Sequence, residues 1–229
     1  MPSKATAAAV AKKFRVLLVD DHPIVRQGLA LLIDRERDLS VCGEADGAHT
    51  GLRAVETLRP DIVVLDISLS GPDGLDVLKE IRMKSGSLPV LILSMHDEAI
   101  YAERALRAGA NGYIMKQEAT EKVLVAIRRI LQGDVYLSER LTSTMLQQFV
   151  HGNAVTKSSP ILSLTDRELE IFRLIGEGHS TRKIAEELHL SVKTIESHQA
   201  HIKEKLALRN ARELVQHAVE WTVNLGGGY

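Results

Sequence analysis

Between Phe14 and Gln132 five short apolar runs alternate with five stretches of helical periodicity, and no other feature limits the fold so tightly. The runs are Arg15–Val19, Leu39–Cys42, Ile62–Leu65, Val90–Ser94 and Gly112–Met115. Runs this short and this continuously apolar predict strands buried on both faces, as in a parallel sheet. Helical spacing recurs in Ile24, Val25, Gly28, Leu29, Leu32 and Ile33, and again in Val77, Leu78 and Ile81. Further helices are expected over Thr50–Leu58, Glu98–Ala108 and Thr120–Leu131. Pro60 and Pro89 each precede a strand, where a missing N–H is tolerated. The alternation predicts an α/β unit, a doubly wound five-stranded parallel sheet of order 2-1-3-4-5.

Gly133 closes this unit, which places a domain at 14–133 after a loose, alanine-rich tail over 1–13. That tail lacks the leucine-rich core of a signal peptide and is expected to be helical for a turn or two at most. Residues 134–163 read as a linker with one helix, around Leu141, Met145 and Phe149. The stretch from His151 to Pro160 has the polar, small-residue composition of a tether. From Leu164 to Val223 the periodicity is helical throughout, so a second, all-α domain is expected at 164–223, with 224–229 frayed. A net charge of −1 gives no whole-chain attraction to nucleic acid or to an anionic membrane. The single cysteine, Cys42, excludes an internal disulfide and fits a reducing cytoplasmic setting; within its strand it reads as a small buried hydrophobe. No apolar run is long enough to span a bilayer.

Asp20 and Asp21 follow the first run and Asp66 follows the third. In a parallel sheet the carboxyl ends of neighbouring strands border one crevice, where such sheets bind ligands. Three carboxylates crowded together repel and call for a hard cation such as Mg2+. A lone aspartate at a strand end is more simply a helix cap or a solvated group. Here Ser94 ends the fourth strand and Lys116 follows the fifth. Carboxylates, a hydroxyl and an ammonium together form the parts needed to receive a phosphoryl group, whose transfer rests on positioning and charge neutralisation.

In the segments Val19–Asp20–Asp21–His22–Pro23, Leu65–Asp66–Ile67–Ser68, Gly71–Pro72–Asp73–Gly74, Leu93–Ser94–Met95–His96 and Gly112–Tyr113–Ile114–Met115–Lys116, the chain resembles the receiver domain of two-component response regulators. The resemblance implies that Asp66 is the phosphoacceptor. It implies that Asp20, Asp21, Asp66 and the Ser68 main-chain carbonyl hold Mg2+, and that Ser94 and Lys116 contact phosphoryl oxygens. Tyr113 resembles the family's switch aromatic, which rotates into space vacated by Ser94; an ordinary strand aromatic is the equal alternative. Gln117 and Ser70 stand where many receivers have proline, which leaves the ligands intact and alters the loops.

The helical region opens at Leu164–Thr165–Asp166–Arg167–Glu168, with Thr165 and Glu168 spaced as a capping box. Two further helices are expected over Thr181–Leu188 and Val192 to about Leu206, joined by His189–Leu190–Ser191, the spacing of a helix-turn-helix. Any three-helix bundle has such periodicity. Charge adds little, since nine Lys or Arg oppose ten Asp or Glu from Leu164 to Trp221. The segments Leu164–Glu168, Glu177–Gly178, Lys183–Ile184–Ala185, Leu190–His198 and Lys205–Leu206 are similar to the LuxR-type module. With a receiver before it, the chain resembles the NarL/FixJ class of regulators. The resemblance implies a four-helix output domain in which Glu196, Ser197 and Ala200 face base edges while Lys193, Thr194, His198 and Lys205 lie near phosphates. It also implies phosphorylation by a histidine kinase or a small phosphoryl donor. Pairing of receivers into a homodimer through their first and last helices, and binding of double-stranded DNA, would follow. Two enzyme readings fail: aspartyl phosphatases need a second Asp where Ser68 stands, and no Gly-x-Ser-x-Gly occurs. A regulator of the same architecture working by protein contacts alone is the remaining rival.

Overall fold

The structure is a computed structural model that describes residues 13–69, 74–95, 98–150 and 160–226. Its contacts divide the chain into two compact units, Met1–Val150 and His151–Tyr229. The first unit runs β1 (Phe14–Val19), α1 (Pro23–Asp34), β2 (Leu39–Ala45), α2 (Ala48–Leu58), β3 (Ile62–Asp66), α3 (Gly74–Lys84), β4 (Val90–Ser94), α4 (Glu98–Arg107), β5 (Gly112–Met115), α5 (Ala119–Leu131) and α6 (Glu139–Val150). All four strand pairings are parallel, in the order β2-β1-β3-β4-β5 that the alternation of runs predicts.

The central strands β3 and β4 are buried at every position because both faces are covered. Val16, Leu18, Ile62, Val64, Leu91, Leu93 and Ile114 share one core with Leu29 and Ile33 of α1 and Val123, Ala126, Ile127 and Ile130 of α5. Residues of the opposite parity, Leu17, Val19, Val63, Leu65, Ile92 and Tyr113, point to the other face and are equally buried. The sheet has one irregularity: between Val16 and Leu17 the β2 partners jump from Val41 to Gly43, leaving Cys42 without an opposite residue. Cys42 is accordingly half-buried instead of fully enclosed. Burial still pushes its thiol pKa up, away from reactivity.

The chain after α5 does not leave the unit. Tyr136 lies along the outer edge of β5, donating N–H to Asn111 O (2.9 Å) and accepting at its carbonyl from Tyr113 N (3.0 Å). Ser138 then donates to Glu98 Oε1 of α4 (2.6 Å) and caps α6 by accepting from Leu141 N (3.1 Å). A stretch expected to be linker thus blunts an otherwise open sheet edge.

The second unit holds α7 (Asp166–Gly176), α8 (Thr181–Glu187), α9 (Val192–Lys205) and α10 (Ala211–Gly226). Each of the first three helices starts where its cap predicts. Thr165 and Glu168 close a reciprocal capping box, and the hydroxyls of Ser180 and Ser191 accept from the N–H groups of Lys183 and Thr194. Leu169, Phe172, Ile184, Ile195, Ile202, Leu214 and Ala218 form the buried centre. Helix α10 runs three residues past the expected boundary at Val223. The expected N-terminal tail up to 12, Ser70, the tether over 151–159 and the last three residues lie outside the described set.

Candidate functional site

Parallel register brings the polar strand ends to one rim of the sheet. Asp66 ends β3 opposite Leu93, so Ser94 sits one residue beyond it on β4. Met115, opposite Ser94, immediately precedes Lys116. On the other side of β3, Val19 pairs with Leu65, so Asp20 lies beside Asp66. Asp66, Asp20, Ser94 and Tyr113 are all buried, at 1, 4, 0 and 1 % exposure. Lys116 Nζ lies 2.7 Å from Asp66 Oδ2 and 2.7 Å from Asp20 Oδ2. The other oxygen of Asp66 accepts Ser68 N–H at 2.9 Å, which ties down the loop after β3. Asp21 and Asp20 converge on the same spot: with Asp66 and His22 they offer ligand atoms that all lie within 4.8 Å of one another.

Gly74, the first residue of α3, closes the site from below. A Cβ there would come 2.3 Å from Ile67 Cα and 2.5 Å from Asp66 O, so the helix start approaches the β3 end at a distance only glycine allows.

The second candidate face is on α9. Lys193, Glu196, Ser197 and Ala200 are exposed at i, i+3, i+4 and i+7 spacing, hence on one side of the helix. Thr194 is engaged at the helix start, its hydroxyl 2.7 Å from Ser191 Oγ. His198 is half-buried. Lys205 is exposed, and its ammonium is bound to the buried Glu168 carboxylate at 2.6 Å.

The first unit matches the response regulator receiver domain over residues 16–128, and the second matches the bacterial regulatory proteins of the luxR family over 162–218. Oxygen regulatory protein NreC of Staphylococcus haemolyticus (strain JCSC1435) is 35 % identical over 210 residues, 90 % of this chain and 97 % of that protein. The chain is a two-component response regulator of the LuxR family. It is a phosphorylation-dependent, DNA-binding transcription regulator. Among solved structures, a LuxR-family response regulator from Aurantimonas sp. SI85-9A1 is similar with a TM-score of 0.57 and 37 % identity, covering 61 % of this chain and 99 % of its own. RcsB from Salmonella enterica serovar Typhimurium, bound to promoter rprA with the phosphomimetic BeF3−, has a TM-score of 0.57 and 25 % identity, covering 91 % of this chain and 99 % of its own.

In the receiver, burial raises the Asp66 carboxyl pKa above the usual range; Lys116 opposes the rise and the Asp20 charge adds to it. The net result is a carboxylate that is costly to keep ionised and gains from any added cation. Oxygen-only donors from three aspartates suit a hard divalent ion such as Mg2+. The observation that tests the fit is Lys116 itself, whose ammonium bridges two buried carboxylates, so the site already demands positive charge at its centre. Sequence reasoning gave His22 no role, yet its Nδ1 lies 2.7 Å from Asp21 Oδ1 and 3.2 Å from Asp20 Oδ1. Its position directly after the acidic pair was the available signal. The Lys205–Glu168 pair, 37 residues apart in sequence, left none.

Proposed function

We propose that Asp66 accepts a phosphoryl group from a histidine kinase or from a small phosphoryl donor. One Asp66 oxygen attacks phosphorus, the bond from phosphorus to the donor's leaving group breaks, and an acyl phosphate forms on β3. The carboxylates of Asp20, Asp21 and Asp66 and the Ser68 carbonyl are the Mg2+ ligands, and the ion, when bound, would offset charge on the phosphoryl oxygens. Lys116 supplies the second cation, and the Ser94 hydroxyl donates to a phosphoryl oxygen. Attack by water returns the carboxylate, so the domain assists only its own phosphorylation and dephosphorylation. The placement of Lys116 between Asp66 and Asp20 carries this reading.

Ser94 and Tyr113 are both enclosed, so a shift of the hydroxyl toward the phosphoryl group frees buried volume that the Tyr113 ring fills. On the outside, Ile24 and Leu31 of α1 are 85 and 66 % exposed, seven residues apart on one face, and Val125 of α5 is 51 % exposed. These residues are not needed by the core and supply an apolar surface for receiver pairing. A homodimer then sets two helix-turn-helix units on DNA half-sites about one helical turn apart. The face Glu196–Ser197–Ala200 of α9 enters the major groove, with Lys193, Thr194, His198 and Lys205 beside the phosphates. Moving such a switch from about 1:99 to 99:1 takes roughly 5.5 kcal/mol of differential stabilisation. No described helix is long and apolar enough to cross a membrane. A DNA-binding role supports a cytoplasmic location.

The test is intact-mass labelling with a small acyl phosphate and Mg2+. The parent chain should gain one phosphoryl group and Asp66→Asn none. Labelling of the Asp66→Asn protein would remove Asp66 from the account. Light scattering on the labelled protein should show a doubled mass.

A further inference from the structure

Among the described residues, one group of metal-ligating side chains lies outside the phosphoryl site. Glu168, on the first turn of α7, and His198 and His201, on α9, present ligand atoms that all lie within 4.8 Å of one another. The two histidines are three residues apart, hence neighbours on one side of α9. Glu168 is buried at 3 % exposure, whereas His201 is exposed and gives solvent a path in. We propose that Glu168, His198 and His201 form a site for a borderline divalent transition ion, Zn2+ or Co2+, which clips α7 to the DNA-facing helix.

The donor set decides the class of ion. Two imidazoles and one carboxylate suit Zn2+, Co2+ and Ni2+ and are poor for Mg2+, which prefers oxygen. Ligands about 2.0–2.1 Å from a tetrahedral ion stand roughly 3.3 Å apart. The observed group needs to contract by at most about 1.5 Å between any two ligand atoms. Ligating imidazole must be neutral, and burial lowers the His198 pKa, holding the ring in that form. Glu168 also has a supported geometry: Thr165 N–H (2.8 Å) and Lys205 Nζ (2.6 Å) both meet its Oε2, which orients the carboxylate as outer-shell partners orient metal ligands.

Two cations oppose an incoming ion. Lys205 is bound to Glu168, and Arg167 lies close enough to disfavour charge on His198. Arg167 is itself paired with Glu170 at 2.7 Å, and the Lys205 side chain is one-third exposed, so it can swing to water when the ion arrives. The site is therefore expected to be exchangeable instead of permanently filled. Three protein ligands leave at least one position for water.

The test uses full-length chelator-treated protein titrated with Co2+ in excess Mg2+, which keeps the receiver carboxylates occupied. The expected result is one equivalent of Co2+ giving visible d–d bands of a low-coordinate nitrogen–oxygen site. These bands should survive in Asp20→Asn and vanish in His201→Ala and His201→Gln, both changes falling at an exposed position. Zn2+ should raise the unfolding temperature of the parent and leave that of His201→Ala unmoved. Absence of bands in the parent, their persistence without His201, or their loss in Asp20→Asn each overturns the proposal; the last would place the ion in the receiver.

Discussion

Replacing Lys116 by Met removes the ammonium that lies 2.7 Å from two buried carboxylates while keeping the length of the side chain. At about 4 Å between charge centres and an effective dielectric near 20, each pair is worth roughly 4 kcal/mol before desolvation is counted. Relieving the buried lysine of its own desolvation returns part of that, and breaking a buried pair by removing one partner typically costs about 3–5 kcal/mol. That is the loss of receiver stability expected near neutral pH without divalent ions. Protonation offers a partial escape. The folded Asp66 pKa already lies above its unfolded value of about 3.9, so the native state holds more protons between the two. Stability then falls as pH rises through the folded pKa and is recovered on acidification. Without Lys116 the folded pKa rises further, so the recovery should begin at higher pH than in the parent. Mg2+ should also restore the variant, by about 2.7 kcal/mol at 100 times its dissociation constant. Hydrogen exchange at the amides of β1 and β3 reads opening of the receiver alone, unaffected by the output unit. Unchanged protection in Lys116→Met without divalent ions, with no gain on acidification or on adding Mg2+, would refute the electrostatic account of the site.

Three further outcomes are expected. Gly74→Ala should slow or abolish labelling of Asp66 by a small acyl phosphate, because the added methyl meets Ile67 Cα and Asp66 O; a parent-like rate would show that α3 and the β3 end can part without cost. Thr165→Ala should lower the stability of the output unit by about 1 kcal/mol in urea denaturation followed by Trp221 fluorescence, since one side of the capping box is lost. Arg128 of α5 bonds to both Asp38 and Glu36, and its hydrogen bond, helped by its charge, holds the Asp38 carboxyl below the usual range against a small desolvation effect. That contribution, no more than about 1 kcal/mol at a pair this exposed, is present above the unfolded carboxyl pKa. It is lost as pH falls through the folded one, so Arg128→Ala should narrow the stability gap between pH 7 and pH 3.

Much of the receiver was legible because parallel strands covered on both faces write themselves as unbroken apolar runs. Phe14–Val19, Ile62–Asp66 and Val90–Ser94 begin or end within a residue of where the composition changes. The rim residues follow from the strands: once Asp20, Asp66, Ser94 and Lys116 sit at strand ends, register alone brings them together. Three features were hidden. The extension of β2 to Ala45 depends on a bulge at Cys42, which no periodicity announces. The pairing of Tyr136 with β5 involves too few residues to carry an alternation. The ion pair of Lys205 was hidden because its partner, Glu168, was assigned wholly to a helix cap, while in the fold that one carboxylate serves both. Local rules find groups that act through their neighbours in sequence; they miss a side chain shared between distant helices.

The central claim is that covalent charge on Asp66 sets the DNA affinity of α9. Its most direct test is the salt-controlled binding of one protein preparation to selected duplex DNA, before and after phosphorylation, with the labelled fraction counted by mass. Affinity that rises in proportion to the fraction labelled, and does not rise for Asp66→Asn, is the expected result. Equal affinity for fully labelled and unlabelled protein would contradict the claim.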